Sequence, residues 1–155
     1  MTTLKQGAKA PEFTRLSSHG KEISLADYKN KSRVVLYFYP KDDTPGCTVE
    51  ACEFRDKAPV FAKQGAVVLG VSPDDLKSHD KFIDKFKLPF VLLSDTDKEV
   101  CKAYGVWAEK SMYGKTYMGV ARTTFIIGKD GTIEKIYEKV KPEGHAQEVL
   151  DFLKA

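Results

Sequence analysis

Residues 34–54 read VVLYFYPKDDTPGCTVEACEF, and this stretch decides how the chain folds. Val34 to Tyr39 is a six-residue apolar run of β-branched and aromatic residues, the composition of a strand buried on both faces. Pro40 through Gly46 holds two prolines, two aspartates and a glycine, which breaks the strand and forces a turn. From Thr48 to about Lys63 apolar residues recur at three- and four-residue intervals, the period of a helix. Cys47 therefore falls at a strand-to-helix turn.

Outward from this unit the pattern repeats. Ala66 to Val71, Phe90 to Leu93 and Thr123 to Ile127 are further short apolar runs, separated by helix-like segments at Asp75–Phe86, after Ser72-Pro73, and Asp97–Tyr104. Strands alternating with helices predict an α/β fold with a mixed central sheet. Between Ile126 and Val140, Lys129-Asp130-Gly131-Thr132 carries the Asp-Gly dipeptide of a tight hairpin, so one antiparallel pair is expected to join the sheet. A last helix is expected over Glu143–Lys154, with Val149, Leu150 and Leu153 on one face. Trp107 to Val120 is the least regular stretch and reads as a mobile loop.

The 155 residues, 42% of them hydrophobic, suit one domain, 1–155, with no repeat or long linker dividing it. Lys and Arg number 25 against 22 Asp and Glu, interspersed without a basic stripe, which argues against nucleic-acid binding. No apolar run approaches the roughly 20 residues of a membrane span, and Met1 to Lys9 is polar, so a soluble, cytoplasmic protein is expected. His19, His79 and His145 form no metal-ligand spacing with a cysteine, so no metal is expected, and no flavin or nicotinamide motif is visible. Three cysteines are too few for a disulfide scaffold, and the odd count points to redox chemistry.

A free thiol has a pKa near 8.5, so only about 3% is thiolate at neutral pH, and a nucleophilic cysteine needs positive potential around it. Three features can supply it at Cys47. Unpaired backbone N–H groups and the helix dipole face a residue that opens a helix. Thr44 lies three residues back, within hydroxyl reach of the sulfur or of an oxygen approaching it. Arg122 is one of only four arginines beside 21 lysines, and it immediately precedes the core strand at Thr123.

Cys52 stands five positions after Cys47. In an ideal helix that spacing separates the Cα atoms by roughly 8.6 Å. A disulfide tolerates only about 7 Å. If these thiols bond, the first helical turns must unwind, which makes the helix start a two-state element.

The motif Pro40, Thr44, Cys47, read PxxxTxxC, together with Gly7-Ala8-Lys9-Ala10-Pro11-Glu12-Phe13 and Arg122-Thr123-Thr124-Phe125, resembles the peroxiredoxins over essentially the whole chain. Cys52 at this spacing is similar to the bacterioferritin comigratory protein or peroxiredoxin Q subgroup, with its atypical two-cysteine mechanism. The resemblance implies a thioredoxin-like fold with an N-terminal extension, and reduction of hydrogen peroxide and alkyl hydroperoxides. It implies Cys47 as the peroxidatic nucleophile, becoming a sulfenic acid, and Cys52 as the resolving thiol of a Cys47–Cys52 disulfide. Thr44 would position the peroxide, Arg122 would stabilise the thiolate and the charge developing on oxygen, and Pro40 would shield the pocket. Glu50 would orient Arg122 through a charge-assisted hydrogen bond. Thioredoxin is the implied reductant, no cofactor is implied, and the subgroup favours a monomer.

Other readings stand beside this one. Thiol-disulfide oxidoreductases use C-x-x-C, whereas this chain has four residues between Cys47 and Cys52 and adds Thr44 and Arg122. A peroxide sensor, or a one-cysteine peroxidase in which Cys52 does not resolve, keeps the same nucleophile. Cys101 reads as a small buried hydrophobe, Trp107, Tyr104 and Tyr113 as packing residues, and Asp42 and Asp43 as solvated turn residues.

Overall fold

The computed structural model describes residues 2–155. In chain order its strands and helices are β1 (Thr14–Leu16), β2 (Glu22–Ser24), β3 (Arg33–Phe38), α1 (Pro45–Lys63), β4 (Ala66–Ser72), α2 (Leu76–Phe86), β5 (Val91–Ser94) and α3 (Glu99–Ala103). There follow β6 (Trp107–Met112), β7 (Lys115–Val120), β8 (Thr123–Ile127), β9 (Ile133–Tyr137) and α4 (His145–Lys154).

The central sheet runs β5-β4-β3-β8-β9. β4 lies parallel to both β3 and β5, while β8 lies antiparallel to both β3 and β9. Alternation along β3 distributes its side chains to two cores. Val34, Leu36 and Phe38 enter one, with Phe13, Val100, Tyr104 and Phe125; Val35, Tyr37 and Tyr39 enter the other, with Cys47, Phe54, Phe82 and Leu150. Helices α1, α2 and α4 thus cover one face, and α3 with the N-terminal extension covers the other. That is the mixed sheet flanked by helices that the pattern of elements predicts, in the thioredoxin-like form that the resemblance implies. The extension is the β1–β2 hairpin and the segment before it, which runs along β9: Gly7 N–H donates to the Ile133 carbonyl at 2.8 Å and Ile133 N–H to the Ala8 carbonyl at 2.8 Å.

The structure departs from the sequence reading in three places. Helix α1 begins at Pro45, ahead of Thr48, because Thr44 takes the extended N-cap conformation and a proline at the first helical position loses no hydrogen bond. The Asp-Gly turn does join β8 to β9, with Gly131 at φ 85°, but β8 is antiparallel to β3 as well, so the antiparallel part of the sheet holds three strands. Residues 107–120, read as a mobile loop, form the β6–β7 hairpin, turning at Tyr113 and Gly114 with both φ values positive. The ribbon stands outside the central sheet with most of its side chains exposed, so no buried alternation marks it as strand.

Candidate active site

Beneath the start of α1, Tyr37 stacks on Tyr39 and Phe54 at centroid distances of 5.3 and 4.8 Å. Such pairs contribute about 0.5–1.5 kcal/mol each beyond their buried area, and here they fix the third turn of α1 against β3. Cys47 is the third residue of that helix, 1% exposed, within the first turn whose N–H groups have no helical partner.

Arg122 arrives from the junction of β7 and β8. Its backbone carbonyl accepts from Val140 N–H at 3.1 Å, and the preceding Ala121 N–H donates to Val106 at 2.8 Å, which fixes the root of the β6–β7 hairpin beside it. Arg122 Nη2 lies 3.4 Å from Cys47 Sγ, and Nη1 donates to Glu50 Oε1 at 2.8 Å. Gly46 makes this approach feasible, because a Cβ there would stand 3.3 Å from Arg122 Nη2 and 3.4 Å from Pro142 Cγ. The guanidinium and the helix N-terminus together set positive potential at the sulfur.

Glu50 is 1% exposed and its Oε2 has no hydrogen-bond partner. Burial pushes its carboxyl up to about 7, against the pull of the Arg122 charge and hydrogen bond in the other direction. The Arg122 guanidinium shows the reciprocal effect: burial opposes its charge, but Glu50 and Cys47 outweigh burial and hold its pKa above the ordinary arginine value.

Thr44, the N-cap residue, donates its hydroxyl proton to the Lys41 carbonyl at 2.9 Å rather than to Cys47 Sγ, and its own carbonyl accepts from Thr48 N–H at 2.8 Å. With its proton committed, that hydroxyl is left as an acceptor. Pro40 is half-buried at the end of β3. Asp43 is exposed and pairs with Lys85 at 2.8 Å, but Asp42, read as solvated, is buried. Its side chain accepts from the Tyr39 and Ser78 hydroxyls and shares a 2.7 Å hydrogen bond with His79 Nδ1, partners from just past β3 and from α2 that replace water.

Cys52 lies half-buried further along the unbroken α1, and Cys47, Cys52 and Cys101 are all free thiols. Cys101 is fully buried on α3, its thiol pushed far up by burial and by the neighbouring Asp95 charge, as suits a packing residue. Tyr104 is likewise core, whereas Tyr113 is 97% exposed at the hairpin tip.

Two residues near the thiol escape sequence reasoning. The Tyr37 hydroxyl is buried without a partner, its pKa raised by burial first and then by the Glu50 and Cys47 charges. Its place in an apolar run gives no polar signal. Lys110 on β6 is half-buried, its stem across Gly119; burial and the Arg122 charge lower its pKa while Cys47 opposes them. Twenty-one lysines hide it in the sequence. The two most prominent surface hollows, of about 680 and 630 Å³, lie along α2 and beside β1 and exclude Cys47, so what marks the site is a buried sulfur beside an anchored cation, not a broad cleft.

Residues 6–136 match the AhpC/TSA family. Peroxiredoxin Bcp of Bacillus subtilis is 49% identical over 152 residues, covering 98% of this chain and 96% of the relative. PrxQ of Xylella fastidiosa superposes with a TM-score of 0.94 at 40% identity, covering 99% of this chain and 98% of the other. The bacterioferritin comigratory protein of Xanthomonas campestris, solved in work on its alkyl peroxide reduction activity, superposes at 0.89 with 41% identity, over 99% of this chain and 98% of the other.

Proposed function

The chain belongs to the AhpC/TSA family as a peroxiredoxin of the Bcp and peroxiredoxin Q group, a peroxidase, and from that premise we propose how its residues reduce peroxides. The Cys47 thiolate attacks the terminal oxygen of hydrogen peroxide or an alkyl hydroperoxide. The O–O bond breaks, the sulfur becomes a sulfenic acid, and water or an alcohol leaves after protonation of its oxygen. Arg122 and the Cys47 N–H meet the charge on the two oxygens, Thr44 accepts a hydrogen bond from the peroxide O–H, Pro40 limits water, and Glu50 orients Arg122. The observation that carries this reading is the Cys47–Arg122 contact at 3.4 Å, with Arg122 anchored on the buried Glu50.

Cys52 then attacks the sulfenic sulfur, releasing water and forming the Cys47–Cys52 disulfide, which thioredoxin reduces by exchange. Supporting this is the position of both cysteines on one helix, near enough to meet once its first turns open. The same unbroken helix favours a second reading, a one-cysteine peroxidase or peroxide sensor in which Cys52 does not resolve. The alkyl peroxide reduction activity of the Xanthomonas campestris relative supports alkyl hydroperoxides as substrates here. The working unit in this proposal is a cytoplasmic monomer, one domain over 1–155, with no cofactor; among the described residues no helix is long and apolar enough to cross a membrane.

Peroxide consumption coupled to thioredoxin and its reductase tests the scheme. Cys47→Ser should abolish turnover, Cys101→Ser should leave it unchanged, and Cys52→Ser should stop thioredoxin-linked turnover while sparing the first oxidation of Cys47. Mapping of disulfides after one equivalent of peroxide separates the two readings: lack of a Cys47–Cys52 bond rejects Cys52 as resolving thiol.

A further inference from the structure

Immediately before Thr44 the chain is held by a buried pair that the peroxide chemistry above leaves unused. His79, in the first turn of α2, has no exposed surface. Its Nε2 lies 3.0 Å from the Leu93 carbonyl, and its Nδ1 lies 2.7 Å from Asp42 Oδ2. A carbonyl only accepts, so Nε2 carries a proton. Asp42 Oδ2 also accepts from the Ser78 hydroxyl at 2.8 Å, and Oδ1 accepts from the Tyr39 hydroxyl. The polar atoms of both side chains are thus hydrogen-bonded inside the core, which is what makes a buried polar pair tolerable. The stereochemistry describes a buried imidazole–carboxyl hydrogen bond. Asp42, Asp74 and His79 bring ligand-type atoms within 4.8 Å of one another, but both imidazole nitrogens are already engaged, by the Leu93 carbonyl and by Asp42.

The pair sits where it can govern the turn. Asp42 is also fixed through its backbone, whose N–H donates to Asp74 Oδ2 at 2.8 Å. Asp43 then takes a left-handed conformation at φ 55°, and Thr44 an extended one at φ −99°, ψ 157°. A left-handed non-glycine residue persists only where its surroundings over-determine it, and Asp42 is the buried anchor next to it. Cys47 is held separately, by the packing of α1 on β3 and α4.

We propose that His79 is a positioning residue for peroxide reduction: its imidazole ring holds the Asp42 side chain and thereby sets Pro40 and Thr44 against Cys47. The proposal rests on the reading of Thr44 as the residue that receives the peroxide. His79 touches no reacting atom and acts through the loop.

Two reactions of the same thiol separate positioning from general damage. Oxidation of Cys47 by hydrogen peroxide needs Thr44 in place, whereas alkylation of Cys47 by iodoacetamide needs the thiolate alone. His79→Phe and Asp42→Ala should lower the second-order peroxide rate by about 10-fold or more, since displacements near 1 Å cost up to about 100-fold, while alkylation stays within about twofold. Asp42→Asn should restore most of the peroxide rate, because its amide can donate to a neutral His79 Nδ1 and keep the loop pinned. In the unmodified protein, side-chain NMR should show a His79 imidazole N–H protected from exchange with water, a measurement that stands even if a variant fails to fold. A rapidly exchanging His79 imidazole in that spectrum, an unchanged peroxide rate in His79→Phe, or a parallel fall in peroxide and alkylation rates each overturns the proposal. Thr44→Val tells the two readings apart. If it leaves the peroxide rate unchanged, the assignment of Thr44 fails and the route from His79 fails with it. If it is slow while His79→Phe is fast, only the role of His79 is rejected.

Discussion

Glu50 and Cys47 share one guanidinium: Arg122 gives Nη1 to the Glu50 carboxylate at 2.8 Å and holds Nη2 3.4 Å from the Cys47 sulfur. Glu50 is 1% exposed and Arg122 17%, so the arginine's position is set from the protein side and its charge is directed to the thiol.

This arrangement makes folding stability depend on pH through Glu50. Its folded pKa of about 7 lies above the ordinary 4.5, so between those values the folded state binds more protons than the unfolded state. The stability this provides is fully present at acid pH and is lost as pH rises from about 4.5 to about 7. Urea unfolding between about pH 5 and pH 8 should show the unfolding free energy of Glu50→Gln improving relative to the unmodified protein by on the order of 2 kcal/mol, at 1.36 kcal/mol per pKa unit. A difference independent of pH would mean that Glu50 is not a buried carboxyl of raised pKa.

Arg122→Lys should not substitute for the arginine. One ammonium on a flexible stem cannot span Glu50 and Cys47 as the planar fork does. Loss of a preorganised donor of this kind costs about 100- to 1,000-fold in rate. Stopped-flow oxidation of Cys47 by peroxide reads the effect, and a lysine variant with the original rate would dismiss the bridging geometry.

Gly46→Ala should separate stability from reactivity. The residue lies in the first turn of α1, where alanine is favoured over glycine by roughly 0.5–1 kcal/mol. The added methyl would press on Arg122 Nη2 at 3.3 Å and Pro142 Cγ at 3.4 Å, so the guanidinium must shift by a few tenths of an ångström. The variant is expected to unfold at equal or higher urea concentration while reacting more slowly with peroxide. An unaltered peroxide rate would show that Arg122 tolerates the displacement.

Formation of a Cys47–Cys52 disulfide should melt the start of α1. Helical spacing puts the two Cα atoms roughly 8.6 Å apart, beyond the about 7 Å a disulfide spans. Amide exchange over Cys47–Arg55 should rise in the oxidised protein, with a drop in far-UV helical signal. Unchanged exchange across this segment in a protein shown to carry the bond would contradict local unwinding.

The legible parts of this site lie close together in sequence. Val34–Tyr39 announced a strand buried on both faces because each of its residues is apolar, and Pro45 with Gly46 marked the helix start because backbone sterics act over one or two residues. The β6–β7 hairpin was not legible: a two-stranded ribbon with both faces largely exposed needs no apolar alternation, and its turn at Tyr113-Gly114 resembles any loop. Asp42 misled for a related reason. A carboxylate in a turn is ordinarily solvated, and nothing local reveals that Tyr39, Ser78 and His79 surround this one.

The sequence by itself determined the sheet's buried strands, the place of Cys47 at the mouth of α1, and the interval to Cys52, because these depend on patterns of residue type and on the geometry of a short run of chain. Tertiary structure alone decided which charges meet. Arg122 reaches Cys47 across 75 residues, and His79 reaches Asp42 across 37. Such pairs form only when the sheet order brings β8 and α2 to the ends of the strand-to-helix turn. Their burial then follows from the packing around that turn, which no single stretch of sequence encodes.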